Sequence, residues 1–367
     1  MARTVNLLAA LRQLACLGLP GKAALPEALG LLRQLVGFDM ETAHFMDQGY
    51  RLSDVYAPPY FPLADMHLYA SHFYDSPGET EAVGWRWREL VRSGRRVVPV
   101  SERVGRAAVE RTEFWDCLLR PYGTGWMCML PLGAGPGARC VLILTRPFAQ
   151  RDFGARDLHL LELAHPWLCH ALAGVAVEEA QPLPAPEAET VETGILILDG
   201  AGRLVHSSDG ALRLLHLAVG EPLTVHSLAP TVRGQVDALW RRLAAEVFAV
   251  AAGHGTQLPA GSVRNAHGFF RWRAYALDAH VPGTPAHVAL HVERRLPLAA
   301  QLFRAPRFLA LSARERDVAL ALAQGRSREE MSASLGLQPT SVAGYVRSLY
   351  RRLHVSQARD VAQALMR

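Results

Sequence analysis

"LSARERDVALALAQGRSREEMSASLGLQPTSVAGYVRSLYRRL" (311–353) reads as three short helices, each with its own start and stop signals. Ser312 with Glu315, and Ser327 with Glu330, have the spacing of a capping box. In that device the hydroxyl accepts from the N–H three residues on and the glutamate side chain reaches back. Gly325 and Gly336 stand where a helix ends in a left-handed cap. Pro339 suits the first turn of the third helix, where a missing N–H costs nothing. Leu311, Val318, Leu322 and Ala323 mark the inward face of the first helix. Val342, Val346, Leu349 and Leu353 mark that of the third. The opposite face of the third helix is then Thr340, Ala343, Gly344, Arg347 and Arg351. "SQARDVAQALM" (356–366) supplies a fourth helix.

Charge singles out the same region. The whole chain of 367 residues carries a net charge of +5, while residues 303–367 hold eleven Arg against five Asp and Glu. The excess therefore sits at the C-terminus and points to a polyanion partner. Two capped helices, a tight turn and a basic third helix fit a helix-turn-helix whose second member enters the major groove. On charge alone, a four-helix bundle with a solvated arginine face accounts for the pattern equally well.

From Leu311 to Ala362 the segment resembles the LuxR-type DNA-binding domain. The residues that carry the resemblance are Leu311-Ser312-Ala313-Arg314-Glu315, Gly325, Glu330-Met331-Ser332, Ser341-Val342 and Leu353-His354-Val355. It implies a four-helix all-α domain over 305–367 with double-stranded DNA as partner. The implied contacts are Thr340, Ser341, Ala343, Gly344, Arg347 and Arg351 on the third helix, with Arg326 and Arg328 at the start of the second. Three positions depart from the family. Ala343 replaces its usual Lys, Tyr345 its usual His, and Gly344 lies inside the recognition helix. A mid-helix glycine costs about 1 kcal/mol relative to alanine. Loss of one lysine contact lowers the salt dependence of DNA binding by about one unit.

The rest of the chain reads as mixed helix and strand. "AVEEAQPLPAPEAETVE" (176–192) is acidic, rich in Pro and Ala and aperiodic, as a linker is. Before it, "WMCMLPL" (126–132) and "ARCVLILTR" (138–146) are buried strands joined by the turn "GAGPG" (133–137), and "FGARDLHLLELAHPWLCHAL" (153–172) is a helix. After it, "TGILILDGAGRLVHSSDGALRLLHL" (193–217) runs strand, Asp-Gly turn, strand and helix. "FFRWRAYAL" and "HVALHVERR" form a hairpin in which Val288, Leu290 and Val292 point inward. The segment 1–175 resembles a GAF-like sensor domain in "LLRPYGTGWMCMLPLG", "RCVLILTRP" and "DFGARDLHLLELAHPWL". The segment 193–296 resembles a degenerate PAS-like domain in "ILILDGAGRLVHSS", with Ser208 where Asn is common. The expected fold class is therefore multidomain α+β: a GAF-like α/β sensor, the 176–192 linker, a PAS-like α/β domain and the C-terminal helix-turn-helix.

Candidate ligand contacts come from an aromatic set in the first segment: Tyr74, Trp85, Trp115 and Trp126, together with Tyr60, Tyr69 and Trp87. Such side chains can wall a pocket for a small molecule, and they equally serve as plain core. His165 and Cys169 share a helix face beside His170, but a Leu-rich helix favours core packing, and no metal site is read. Asp199 of "LILDG" lacks the acidic pair and lysine of a phosphoacceptor site. Lys22 is the only lysine in the chain. Neither a Walker loop, a Gly-x-Ser-x-Gly elbow nor HExxH occurs, so no catalytic residue is assigned. The five scattered cysteines fit a reducing cytoplasm. The N-terminal apolar stretch, interrupted by Arg12 and Gln13, reads as a helix of the mature protein.

These readings converge on a cytoplasmic one-component transcription factor, without a membrane partner and acting as a homodimer. Its sensor domains would take a small-molecule ligand whose identity, like that of any cofactor, the residues do not specify. The alternative is a non-enzymatic interaction or cofactor-binding protein with a degenerate helix-turn-helix, acting on another regulator.

Overall fold

The computed structural model describes residues 2–19, 21–58, 61–133, 139–173, 188–232, 238–252, 254, 259–277 and 286–367. Among them, no helix is long and apolar enough to cross a membrane. The chain divides into two compact units. One comprises Met1–Gly37, Pro166–Glu189 and Leu296–Arg367, the other Phe38–His165 and Thr190–Arg295.

The second unit contains two five-stranded sheets. The first is built from β1 (Met40–Met46), β2 (Leu52–Tyr56), β3 (Val98–Pro99), β4 (Trp126–Gly133) and β5 (Arg139–Arg146), in the order β2-β1-β5-β4-β3. The pairs β1/β2, β1/β5, β3/β4 and β4/β5 are all antiparallel. The expected β4/β5 hairpin forms, with Trp126 opposite Arg146 and Gly133 opposite Arg139; the turn at 134–138 lies outside the described residues. Cys140 to Arg146 are all buried, so β5 is the central strand and its unbroken apolar run follows from burial on both faces.

The other sheet is built from β6 (Ala188–Leu198), β7 (Leu204–Ser207), β8 (Ala260–Asn265), β9 (Gly268–Leu277) and β10 (His287–Pro297), in the order β7-β6-β10-β9-β8. Residues 188–192, assigned by composition to the linker, are the first part of β6. The Asp-Gly turn is closed by Asp199, whose Oδ1 accepts from Ala201 N and Arg203 N, both at 2.9 Å. Along β10 burial alternates strictly, and Val288, Leu290 and Val292 are fully buried as their spacing predicts. Helices Ala211–Val219 and Ala238–Ala251 cover that face with Leu214, Leu215, Trp240 and Val247.

The two sheet assemblies share contacts within their unit. Leu223 and Leu228, which lie between β7 and β8 in sequence, belong to the core of the first sheet, beside Val55 and Phe61. Strand β2 links the two. Buried Asp54 accepts through Oδ1 from Leu223 N at 2.7 Å and lies 4.0 Å from His267 Nε2.

The other unit is helical. Helices Ala2–Ala15 and Gly21–Val36 are grouped with the C-terminal helices Ala313–Ala323, Arg328–Leu335, Pro339–Leu353 and Ala358–Met366. The contact hinges on Arg316, which is fully buried. Its Nε donates to Gln13 Oε1 at 2.7 Å, and its terminal nitrogens donate to the Asn6 side chain, to Asn6 O at 3.1 Å and to Leu311 O at 2.8 Å. Asn6 and Gln13 are two helical turns apart and so share a face. Glu27, buried on the second helix, accepts from Arg304 Nε at 2.8 Å. A buried guanidinium survives only if its donors are satisfied, and here the N-terminal helix satisfies those of Arg316.

Candidate functional site

A buried apolar cavity of about 60 Å³ lies against the first sheet. Met40, Met127 and Ile143 line it from the strands, and Phe61, Phe114 and Leu118 from the connecting segments. Two π-helical turns border it, Tyr69–Phe73 and Trp115–Leu119. Such turns are rare and frequently accompany functional sites.

One edge of the cavity is polar. Tyr69 Oη donates to Glu79 Oε1 at 2.7 Å and lies 3.0 Å from His44 Nδ1. Glu79 Oε2 accepts from Trp87 Nε1 at 2.9 Å and from Asp75 N at 2.7 Å. Burial pushes the Glu79 carboxyl up to about 7, against the pull of the donors Tyr69, Asp75 N–H and Trp87. Burial pulls His44 down to about 3, so its ring is neutral. Ionised Glu79 accepts from Tyr69, whose oxygen then accepts from His44 Nδ1–H. Protonated Glu79 can instead donate to Tyr69, which donates to Nδ1. Reversing both hydrogen bonds thus takes one added proton on Glu79 and a shift of the neutral His44 ring from its Nδ1–H to its Nε2–H tautomer.

Of the sequence-derived aromatic candidates, Tyr69 lines the cavity, whereas Tyr74, Trp85, Trp115 and Trp126 do not. Tyr74 donates to Tyr50 O at 2.7 Å and stacks parallel to Trp87 with centroids 6.1 Å apart. Trp85 is buried beneath the guanidinium of Arg103. Trp115 and Trp126 flank Phe148 at 5.1 and 4.8 Å between centroids. Tyr60 lies outside the described residues. His165 spends its Nε2 on Pro131 O at 2.8 Å.

In the C-terminal helices both capping boxes form, at Ser312 with Glu315 and at Ser327 with Glu330. Gly336 ends the second helix at φ 61° and His354 ends the third at φ 55°. Val342, Val346 and Leu349 are buried, and Leu353 is half-buried. The other face presents Thr340, Ser341, Gly344, Arg347 and Arg351 to solvent, with Ala343 half-buried. Nothing lies within 4 Å of where a Gly344 Cβ would stand. Gln338 caps the third helix without a side-chain hydrogen bond. Among the described residues Arg326, Arg328, Arg347 and Arg351 are exposed and make no ion pair. Arg352, by contrast, is tied to Glu315 at 3.6 Å, and Arg314 to Asp317 at 3.6 Å.

Residues 309–365 match the family model of bacterial regulatory proteins, luxR family. The C-terminus is a LuxR-family helix-turn-helix domain. A domain of this kind belongs to DNA-binding transcriptional regulators, and the sequence resemblance anticipated it over nearly the same residues. No curated protein matches the chain. Among solved structures it is similar to the sensor region of a sensor histidine kinase, at 21% identity over 45% of this chain and 62% of that one, with TM-score 0.18. It is also similar to the phage VqmA–DPO complex, at 18% identity over 47% and 80%, with TM-score 0.18. A third likeness is to the E. coli DhaR(N)–DhaL complex, at 14% identity over 78% and 86%, with TM-score 0.24. The chain thus spans 62% of the sensor region's length.

Two features escaped the sequence reading. The LuxR-family domain is joined to the N-terminal helix through Arg316, a residue that looks like any exposed helical arginine until its partners are known. The polar edge of the cavity depends on Glu79, which stands three residues after Ser76 and therefore reads as a solvent-facing capping glutamate. Its backbone N–H does bond Ser76 Oγ at 3.1 Å, while its carboxylate turns inward.

Proposed function

We propose that this chain is a one-component transcriptional regulator that binds double-stranded DNA as a homodimer under control of its front domains. The observation that carries the reading is the set of four exposed arginines without ion pairs, Arg326 and Arg328 at the start of the second helix and Arg347 and Arg351 along the third, whose N-terminus has no side-chain cap. Phosphates are held by such unneutralised guanidiniums and free N–H groups, and arginine also suits guanine edges. The flat surface at Ala343 and Gly344 lets the helix seat deeply in the groove. Two copies would read half-sites about 34 Å apart.

Control would come from the first sheet of the GAF-like segment. Its cavity suits the apolar part of a small molecule, and His44, Tyr69 and Glu79 suit one polar group on it. Tyr74, Trp85 and Trp115, which belong to or pack on the core around the cavity, would form a surrounding shell, with Trp126 reaching it through Phe148. Strand β2 would carry the signal, since Val55 lines the cavity while Asp54 holds Leu223. The protein would work in the cytoplasm.

The test is binding of the full chain to its own upstream DNA and to random DNA across a salt series. Sequence-selective binding is expected, and Arg347→Ala should weaken it and lower the salt slope by about one unit. Gly344→Ala should stabilise the isolated helix by about 1 kcal/mol while weakening DNA binding. Equal, weak binding to both DNAs, unchanged by Arg347→Ala, would overturn the reading in favour of a protein that acts on another regulator.

A further inference from the structure

A cleft of about 420 Å³ opens between the segment after β2 and the start of helix Ala211–Val219. One wall is apolar, with Phe61 and Leu63; the other carries Ser207, Ser208, Gly210 and Arg213. The Arg213 side chain is only 5% exposed, and its one charged contact is Glu192 Oε2 at 3.8 Å, beyond hydrogen-bonding distance. Its Nε is buried without any partner. Among the described residues Arg213 makes no hydrogen bond at all. Glu192 is engaged more closely by buried Arg294, whose terminal nitrogen lies 3.3 Å from Oε1. The Arg213 guanidinium also lies 5.5 Å from the centre of the Tyr56 ring, which offers no hydrogen-bond acceptor to the buried Nε–H, so that donor needs an acceptor that the described chain does not supply.

The neighbouring backbone has the same polarity. Helix Ala211–Val219 begins at Gly210, which sits at φ 70° and offers no side chain to cap the first N–H groups. Its positive end therefore adds to the charge of Arg213 at one side of the cleft. The exposed carboxylate of Asp209 at the rim acts in the opposite sense, but solvent screens it. Ser207, exposed in the same wall, supplies a further hydroxyl.

We propose that this cleft binds a small organic oxyanion, with its carboxylate or phosphate head on Arg213 and the helix N-terminus and its apolar body against Phe61 and Leu63. The bidentate geometry of guanidinium and oxyanion fits the unbonded donors. The site is distinct from the cavity of the first sheet, although Phe61 borders both. It stands whether or not that cavity holds an effector.

The test uses the full chain with benzoate, inorganic phosphate and, as the neutral control, benzamide, all at constant ionic strength in chloride. Saturable benzoate binding is expected, read from the Arg213 Nε–H nuclear magnetic resonance signal and a rise in melting temperature, with none for benzamide. Phosphate acting at the same signal would mean that the head group alone suffices; benzoate acting alone would mean that the apolar wall contributes. Arg213→Met should weaken binding about tenfold or more, and Ser207→Glu, a rim change that leaves the buried guanidinium in place, should do likewise. The double variant Arg347→Ala/Arg351→Ala should bind as the parent does. No saturable binding, binding unchanged in both cleft variants, or binding lost in the arginine pair variant would overturn the proposal.

Discussion

Counting its own strands from the N-terminus, each five-stranded sheet has the order second, first, fifth, fourth, third. No sequence repeat accompanies this shared order, and the two assemblies bury polar groups on opposite terms. Beside the first sheet Glu79 receives three hydrogen bonds, from Tyr69, Trp87 and the Asp75 N–H. Beside the second, Arg213 receives an ion-pair contact at 3.8 Å and no hydrogen bond. A satisfied buried acid is part of the structure around it, whereas an unsatisfied buried cation is a cost the fold carries. The same topology thus houses one polar group that holds its surroundings together and another that awaits a partner.

The largest effect separating the two is expected at Glu79. Glu79→Ala leaves a tyrosine hydroxyl, an indole N–H and a backbone N–H buried without their acceptor, and should cost on the order of 3–5 kcal/mol in chemical denaturation at neutral pH. A loss below about 1 kcal/mol would erase the contrast.

The pH dependence sharpens it. Glu79 titrates near 7 in the folded chain, above the 4.5 of a free carboxyl. The folded state therefore holds this proton more tightly than the unfolded state does. Stability from this group is fully present below about pH 4.5 and falls as pH rises toward 7, by about 3 kcal/mol. Unfolding free energies measured from pH 4 to 8 should show this slope in the parent and not in Glu79→Gln; identical slopes would refute the assignment.

The seam between the assemblies comes next. Asp54→Ala removes the acceptor of Leu223 N and should cost about 1–3 kcal/mol. The smallest change is expected for Arg213→Met, within about 1 kcal/mol of the parent, because no hydrogen bond is lost and a desolvated charge is removed. A loss of several kcal/mol there would mean that Arg213 is a structural residue after all and that the two sheets do not differ.

What could be read along the chain was whatever is encoded within a few residues. Both capping boxes, the β4/β5 hairpin, the alternation of β10 and the arginine face of the third helix follow from spacings of two to four, and each formed where its spacing placed it. The same locality says nothing of what the Glu79 carboxylate does. Its N–H bonds Ser76 Oγ three residues back, but nothing nearby in sequence signals that the carboxylate turns into the core.

The amino-acid sequence by itself determined the helices and strands, their apolar faces and the basic LuxR-family domain, because periodicity and caps act over one or two turns. Only the tertiary structure decided which buried charges have partners. Arg316 is satisfied by Asn6 and Gln13, more than 300 residues away. Arg213 is left unbonded because Glu192, 21 residues before it, lies closer to Arg294. Desolvation makes such pairings decisive, and it exists only once the chain has closed over them.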